Sequence, residues 1–182
     1  MVKLLTPWGC ILLAFGVLLL PLRWIIAWSV VSIAHEAGHI LTAKLLGGKV
    51  HGLSAAAWGA RIRIRDLTPA AELATAMAGP LFGCIGLLLI PWLPEAGICA
   101  IFQGIYNLLP IYPLDGGRAI NCILLLLAGE KTAAKALSVL RILCIGLLWV
   151  LTLIGVFWLK LGLLPIMGML LLHIKTKIGN TP

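Results

Sequence analysis

Five consecutive residues, His35-Glu36-Ala37-Gly38-His39, are of the types that hold and use a metal ion. On a helix, residues four apart share a face, so the two imidazoles can converge on one cation, with Glu36 about 100° round from His35 and beside it. Neutral imidazole suits zinc. A carboxylate at that position can act as general base towards a water activated by the metal, which is the chemistry of hydrolysis. Without a metal, a His-Glu-His cluster in an apolar run would present several polar groups to hydrocarbon with nothing to satisfy them.

Two histidines do not complete a catalytic zinc site, which usually has three protein ligands and one open position. Of the six acidic residues, Asp66 and Glu130 lie in polar loops, Glu95 follows Pro94 in a turn, and Glu72 opens a hydrophobic stretch. Glu36 and Asp115 are left in deeply apolar surroundings, where an unpartnered charge is expensive and therefore functional by default. Asp115 is the expected third ligand. It lies in Asn107-Leu108-Leu109-Pro110-Ile111-Tyr112-Pro113-Leu114-Asp115-Gly116-Gly117, where two prolines and two glycines interrupt an apolar run. An unbroken helix over residues 98–127 would be about 45 Å long against a hydrocarbon core of about 30 Å, so a break here has a geometric use. Irregular backbone at that depth must be covered by protein or line a wet cavity, which makes this segment the expected wall of the site.

The elements that must carry these residues are membrane helices. Of the 182 residues, 62% are hydrophobic and 11% charged, too apolar for a soluble domain to hide. Spans are predicted over residues 4–22, 24–46, 73–92, 98–127, 136–159 and 161–174, the last short enough to be tilted or interfacial. The N-terminal run is read as a retained span, because Pro21-Leu22-Arg23-Trp24 stands where small cleavage-site residues would follow a signal peptide. With six spans, eleven of the fourteen basic residues fall on one side, while Arg23 and Lys160 fall on the other and Arg118 lies in the fourth stretch. The side rich in Lys and Arg is the cytoplasm, so both termini are expected there. The net charge of +8 is spread in short clusters between apolar runs, which argues for membrane topology and against nucleic acid.

Residues 47–68 form the sizeable hydrophilic connection, and Ala60-Arg61-Ile62-Arg63-Ile64-Arg65 alternates with a period of two, a strand signature. Residues 50–54 before Trp58-Gly59 are its expected hairpin partner. An exposed strand here could present substrate by pairing with its backbone, through Arg61, Ile62, Arg63 and Ile64. The five cysteines are odd in number, form no C-x-x-C pair and read as packing thiols. His51 and His173 have no partner at ligand spacing and are read as non-ligands. Gly79, Gly83 and Gly86 are read as close-packing positions between helices. Arg118 is expected to reach the headgroups, with a role opposite Asp115 as the alternative. The fold class is therefore an all-α polytopic membrane protein of about six helices, with a short β-hairpin between the second and third, in a single domain over residues 1–182.

These residues resemble the site-2 proteases, intramembrane zinc metalloproteases that carry H-E-x-x-H in one span and an N-x-x-P…L-D-G segment in another. Ala43 and Gly47 after the second histidine, the basic hairpin, and Ala78-Gly79-Pro80 fit the same core, so the resemblance covers about residues 24–127, with extra helices over 136–178. The wording from Asn107 to Gly117 most resembles the compact sporulation branch, which releases a sigma factor from a membrane-bound precursor. No PDZ or CBS domain is expected in the chain. The resemblance implies that Asn107 binds substrate or stabilises the oxyanion, for which its amide is suited. It also implies one Zn²⁺ per chain, a membrane-spanning or membrane-tethered protein as substrate, and a bacterial cytoplasmic membrane as the location. The reading from another class is a non-catalytic zinc-binding scaffold or metal transporter, and a transporter should show further polar side chains along its spans.

Overall fold

The computed structural model describes residues 20–56, 59–158, 160, 162 and 164–179. Helix α1 (Leu22–Leu45) leads into a two-stranded antiparallel sheet of β1 (Lys49–Ala56) and β2 (Gly59–Arg65). There follow α2 (Pro69–Gly83), α3 (Ile85–Leu88), α4 (Pro94–Asn107), α5 (Asp115–Ala128), α6 (Glu130–Phe157) and α7 (Leu164–Gly179). The protein is mostly helical. The predicted span over residues 4–22 lies almost wholly outside the described residues.

Among the described residues, three helical stretches are long and apolar enough to cross a membrane: Leu22–Leu45, Pro69–Leu88 and Glu130–Phe157. Six crossings are thus not what the helices show. The predicted fourth span is two helices of 14 residues each, α4 and α5, parted at residues 108–114. Each is about 21 Å long, short of a hydrocarbon core of about 30 Å. Pro110 and Pro113 have no N–H to give a continuing helix, and they enforce the break. The last helix has 16 residues and also falls short of the length of a span.

Local chemistry sets the ends of the elements that hold the site. At the end of α1, Gly47 takes φ +80°, a left-handed conformation that costs glycine little, and Gly48 N–H donates to the Ala43 carbonyl at 2.8 Å. Thr68 caps α2 by accepting from Ala71 N–H at 3.3 Å, and Pro69 occupies the first turn, where its missing donor is harmless. The sheet pairs Lys49 with Arg65 and Ala56 with Gly59, with a bulge between Val50 and Gly52, and Lys49 Nζ meets Asp66 at 3.3 Å at its base. The expected turn at Trp58 lies outside the described residues.

Helices α1 and α4 run side by side in the same direction. Arg23 ties their starts together, donating to the Trp92 carbonyl at 3.2 Å and pairing with Glu95 at 3.4 Å. His35 is thirteen positions on from Leu22, and Asn107 thirteen on from Pro94, so the histidine and the asparagine arrive at one level. Ser32 and Gln103, 3.4 Å apart, form a rung one turn earlier. Ala27 and Val31 pack against Ala96, Cys99 and Ala100, small residues that let the two backbones approach. Helix α2 runs against α1 in the opposite sense, with Gly38 lying under the Ala78 carbonyl and Phe82. Helix α6 is different: only 6% of its most apolar window is buried within the protein, which leaves it to face lipid.

Candidate metal centre

Two helices deliver the three ligand residues. His35 and His39 come from the middle of α1, Asp115 from the first residue of α5, and all three are almost fully buried. A carboxylate in the first turn of a helix is favoured by the positive end of the helix dipole. Gly116 and Gly117 let α5 begin so close to the preceding segment, since a Cβ at either would overlap the backbone of Leu108 or of Ile111 and Tyr112. The same two glycines that break the apolar run in the sequence therefore bring Asp115 into place.

Nε2 of His35, Nε2 of His39 and Oδ2 of Asp115 form a nearly equilateral triangle with sides of 3.2, 3.1 and 3.3 Å. Ligand bonds of about 2.0 Å at tetrahedral angles put ligand atoms about 3.3 Å apart, so one zinc ion fits this triangle with a fourth corner left open. Hydrogen bonding supports the same reading. The Thr75 carbonyl can only accept, so at 2.8 Å it fixes a proton on His39 Nδ1 and turns the lone pair of Nε2 inward in the neutral ring. That lone pair faces a carboxylate oxygen, and a cation between them relieves the repulsion. The residues present therefore fit zinc. Among the described residues they are also the His, Cys, Asp or Glu group close enough to hold an ion.

Other expected residues fall around this triangle. Glu36, half-buried, leaves α1 beside His35. Asn107, the last residue of α4, brings its Nδ2 to 3.4 Å from His35 Nε2, next to the ligand atoms. Arg118 departs from the expectation that it reaches headgroups: Nη1 lies 3.7 Å from Asp115 Oδ1 and Nη2 lies 3.6 Å from Glu72 Oε1. The reason is helical spacing, since residues three apart on α5 share a side and Glu72 on α2 offers a second carboxylate there. Arg61, Ile62, Arg63 and Ile64 lie on β2, in the connection between α1 and α2. His173 lies on α7, also outside the ligand group.

Two contributors escape sequence reading. The Thr75 carbonyl is a backbone group and leaves no mark on residue type. Gly79 is a packing glycine, as expected, but what it packs against is the site: a Cβ there would overlap His39 Nε2 and come within 2.9 Å of His35 Nε2.

The Peptidase M50B-like family profile matches residues 8–128, two thirds of the chain. This chain belongs to the M50B-like peptidase family. The matched region ends at the last residue of α5, so it contains all three ligand residues, and α6 and α7 lie beyond it. A zinc metalloprotease of Methanocaldococcus jannaschii is 29% identical over 106 residues, which is 50% of this chain and 31% of the relative. The chain thus spans about a third of the length of that curated relative. A solved site-2 protease from the same organism shares the fold with a TM-score of 0.68 at 21% identity, over 95% of this chain and 86% of the other.

Proposed function

We propose that this protein is an intramembrane zinc endopeptidase that hydrolyses a peptide bond of a membrane-spanning or membrane-tethered protein. The observation that carries the reading is the ligand triangle of His35, His39 and Asp115, with Glu36 and Asn107 at its edge, set among apolar helices. His35, His39 and Asp115 would hold one Zn²⁺. When bound, zinc supplies Lewis acidity, polarising a carbonyl and lowering the pKa of water to about 7.

The chain's own residues supply the rest. The Glu36 carboxylate takes a proton from the attacking water and returns it to the leaving amine. The Asn107 amide N–H donates to the oxygen on which negative charge develops at the scissile carbonyl. His39 is held in orientation by the Thr75 carbonyl, and Asp115 by the first turn of α5. Burial of the site among apolar side chains limits competing water. A helical substrate hides its carbonyls in internal hydrogen bonds, so it must be drawn out before cleavage, and an edge of the β1–β2 sheet is suited to pair with it.

The finer reading follows from the same residues. The Asn107–Gly117 wording favours a sporulation-type substrate, a membrane-bound sigma-factor precursor, in a bacterial cytoplasmic membrane. The Lys and Arg distribution favours a cytoplasmic sheet and cytoplasmic termini. A transport role finds little support: outside the ligand group, the buried polar side chains among the described residues are Thr75, Gln103 and Thr176, which form no path. Co-expression with membrane-tethered candidate substrates tests the proposal. Wild-type protein should release product and Glu36→Gln none, whereas equal release, or none from either across substrates bearing extended cytoplasmic-side cleavage sites, would reject it.

A further inference from the structure

The two oxygens of Asp115 are committed to different partners. Oδ2 faces His35 and His39 at 3.1 and 3.3 Å, while Oδ1 faces the Arg118 guanidinium at 3.7 Å. The other nitrogen of that guanidinium is drawn towards Glu72 of α2, at 3.6 Å. Arg118 is thus suspended between a carboxylate of the site and a carboxylate of a neighbouring helix. It is also largely buried, with a side chain 22% exposed, which strengthens its pull relative to a surface pair.

A carboxylate can ligate zinc through one oxygen or through both. Two-oxygen binding by Asp115 would make the site five-coordinate and crowd the remaining position, where a substrate carbonyl or water must enter. A cation beside Oδ1 opposes that swing, because it attracts the oxygen that would have to turn inward and repels the incoming metal on that side. Glu72 sets where the guanidinium sits and offsets its charge, so that it does not discourage zinc altogether.

We propose that Arg118, anchored by Glu72, is a positioning residue that keeps Asp115 a one-oxygen ligand and so keeps the fourth coordination position open. The inference rests on the zinc-site reading above, but its deciding readout, the cobalt spectrum, needs no substrate. Purified wild-type, Arg118→Gln, Arg118→Lys and Glu72→Gln proteins would be loaded with Co²⁺ in place of zinc. Metal content and visible absorption would then be measured, followed by peptidase rate. Wild type should give the strong absorption of four-coordinate cobalt. Arg118→Gln should retain one cobalt per chain yet absorb weakly, as five-coordinate cobalt does, and cleave about 10- to 100-fold more slowly, the usual range for loss of a group that orients a ligand. Arg118→Lys should recover part of both signals, and Glu72→Gln should shift both in the direction of Arg118→Gln by a smaller amount.

An Arg118→Gln spectrum identical to wild type would overturn the inference while leaving the zinc-site reading intact. So would loss of metal from Arg118→Gln with no recovery in Arg118→Lys, which would make Arg118 a structural support only. Wild-type protein that binds no cobalt would overturn both.

Discussion

Gly79 of α2 lies so close to His39 of α1 that a methyl group in place of its hydrogen would overlap Nε2 of that imidazole, the atom that faces Asp115. The contact couples helix packing to metal binding, because α2 cannot approach α1 with a larger residue unless the histidine turns aside. Gly79→Ala should therefore cost about 1–3 kcal/mol as overpacking, expressed as roughly a 5- to 150-fold loss of zinc affinity. Chelator competition on the purified protein measures this. Unchanged affinity would mean that the two helices separate without disturbing the histidines.

Ligands and base are separable by metal content. Replacing His35, His39 or Asp115 with Ala removes one corner of the triangle and should abolish both bound zinc and cleavage. Glu36→Gln should keep a full complement of zinc and cleave nothing, because the amide cannot accept the proton. Zinc loss from Glu36→Gln together with full retention in Asp115→Ala would reverse these assignments.

Backbone pairing at the sheet can be told apart from membrane anchoring by proline, which removes a strand donor but leaves the arginine charges in place. Ile62→Pro or Ile64→Pro should slow cleavage strongly with zinc content and expression unchanged, and Arg63→Gln should have a milder effect. If both proline variants cut at the wild-type rate while Arg63→Gln is impaired, the strand serves as a lipid anchor.

The topology drawn from the basic residues places Ser54 on the cytoplasmic side. A single cysteine at Ser54 in a cysteine-free background should resist a membrane-impermeant thiol reagent in intact cells and react after permeabilisation. Labelling of intact cells would put the sheet outside and invert the whole arrangement.

The two histidines were legible from their four-residue spacing, and Asp115 and Glu36 because hydrocarbon makes charge conspicuous: both stand out from four acidic residues in loops and at helix starts. The break at residues 108–114 was legible in the same way, from prolines that cannot continue a helix. What lay beyond sequence was mutual arrangement. Gly79 reads as one of several small residues until α2 is laid against α1. The Thr75 carbonyl belongs to the main chain, which every residue has alike. Arg118 did carry a signal, its three-residue spacing from Asp115, but the attraction of headgroups competed with it until Glu72 was found on the same side. Helix α6 begins at Glu130, six residues before the predicted start at 136, because hydrophobicity marks the part of a helix in lipid and misses a polar first turn.

Ile111, at the centre of the break, and Leu114, at its end, are enclosed by Met169 and Leu172 of α7 with Cys144, Ile145, Leu148 and Trp149 of α6. In water such enclosure would be explained by the side chains. In a bilayer it is not, because acyl chains solvate isoleucine and leucine as readily as protein does. The vulnerable part is the main chain around them, where Pro110 and Pro113 offer no N–H and the regular helical hydrogen-bond ladder is broken. Helices α6 and α7 thus act as insulation around a bare stretch of conductor: peel them away and the two side chains would remain comfortable, while the peptide groups that set the position of Asp115 would face oil.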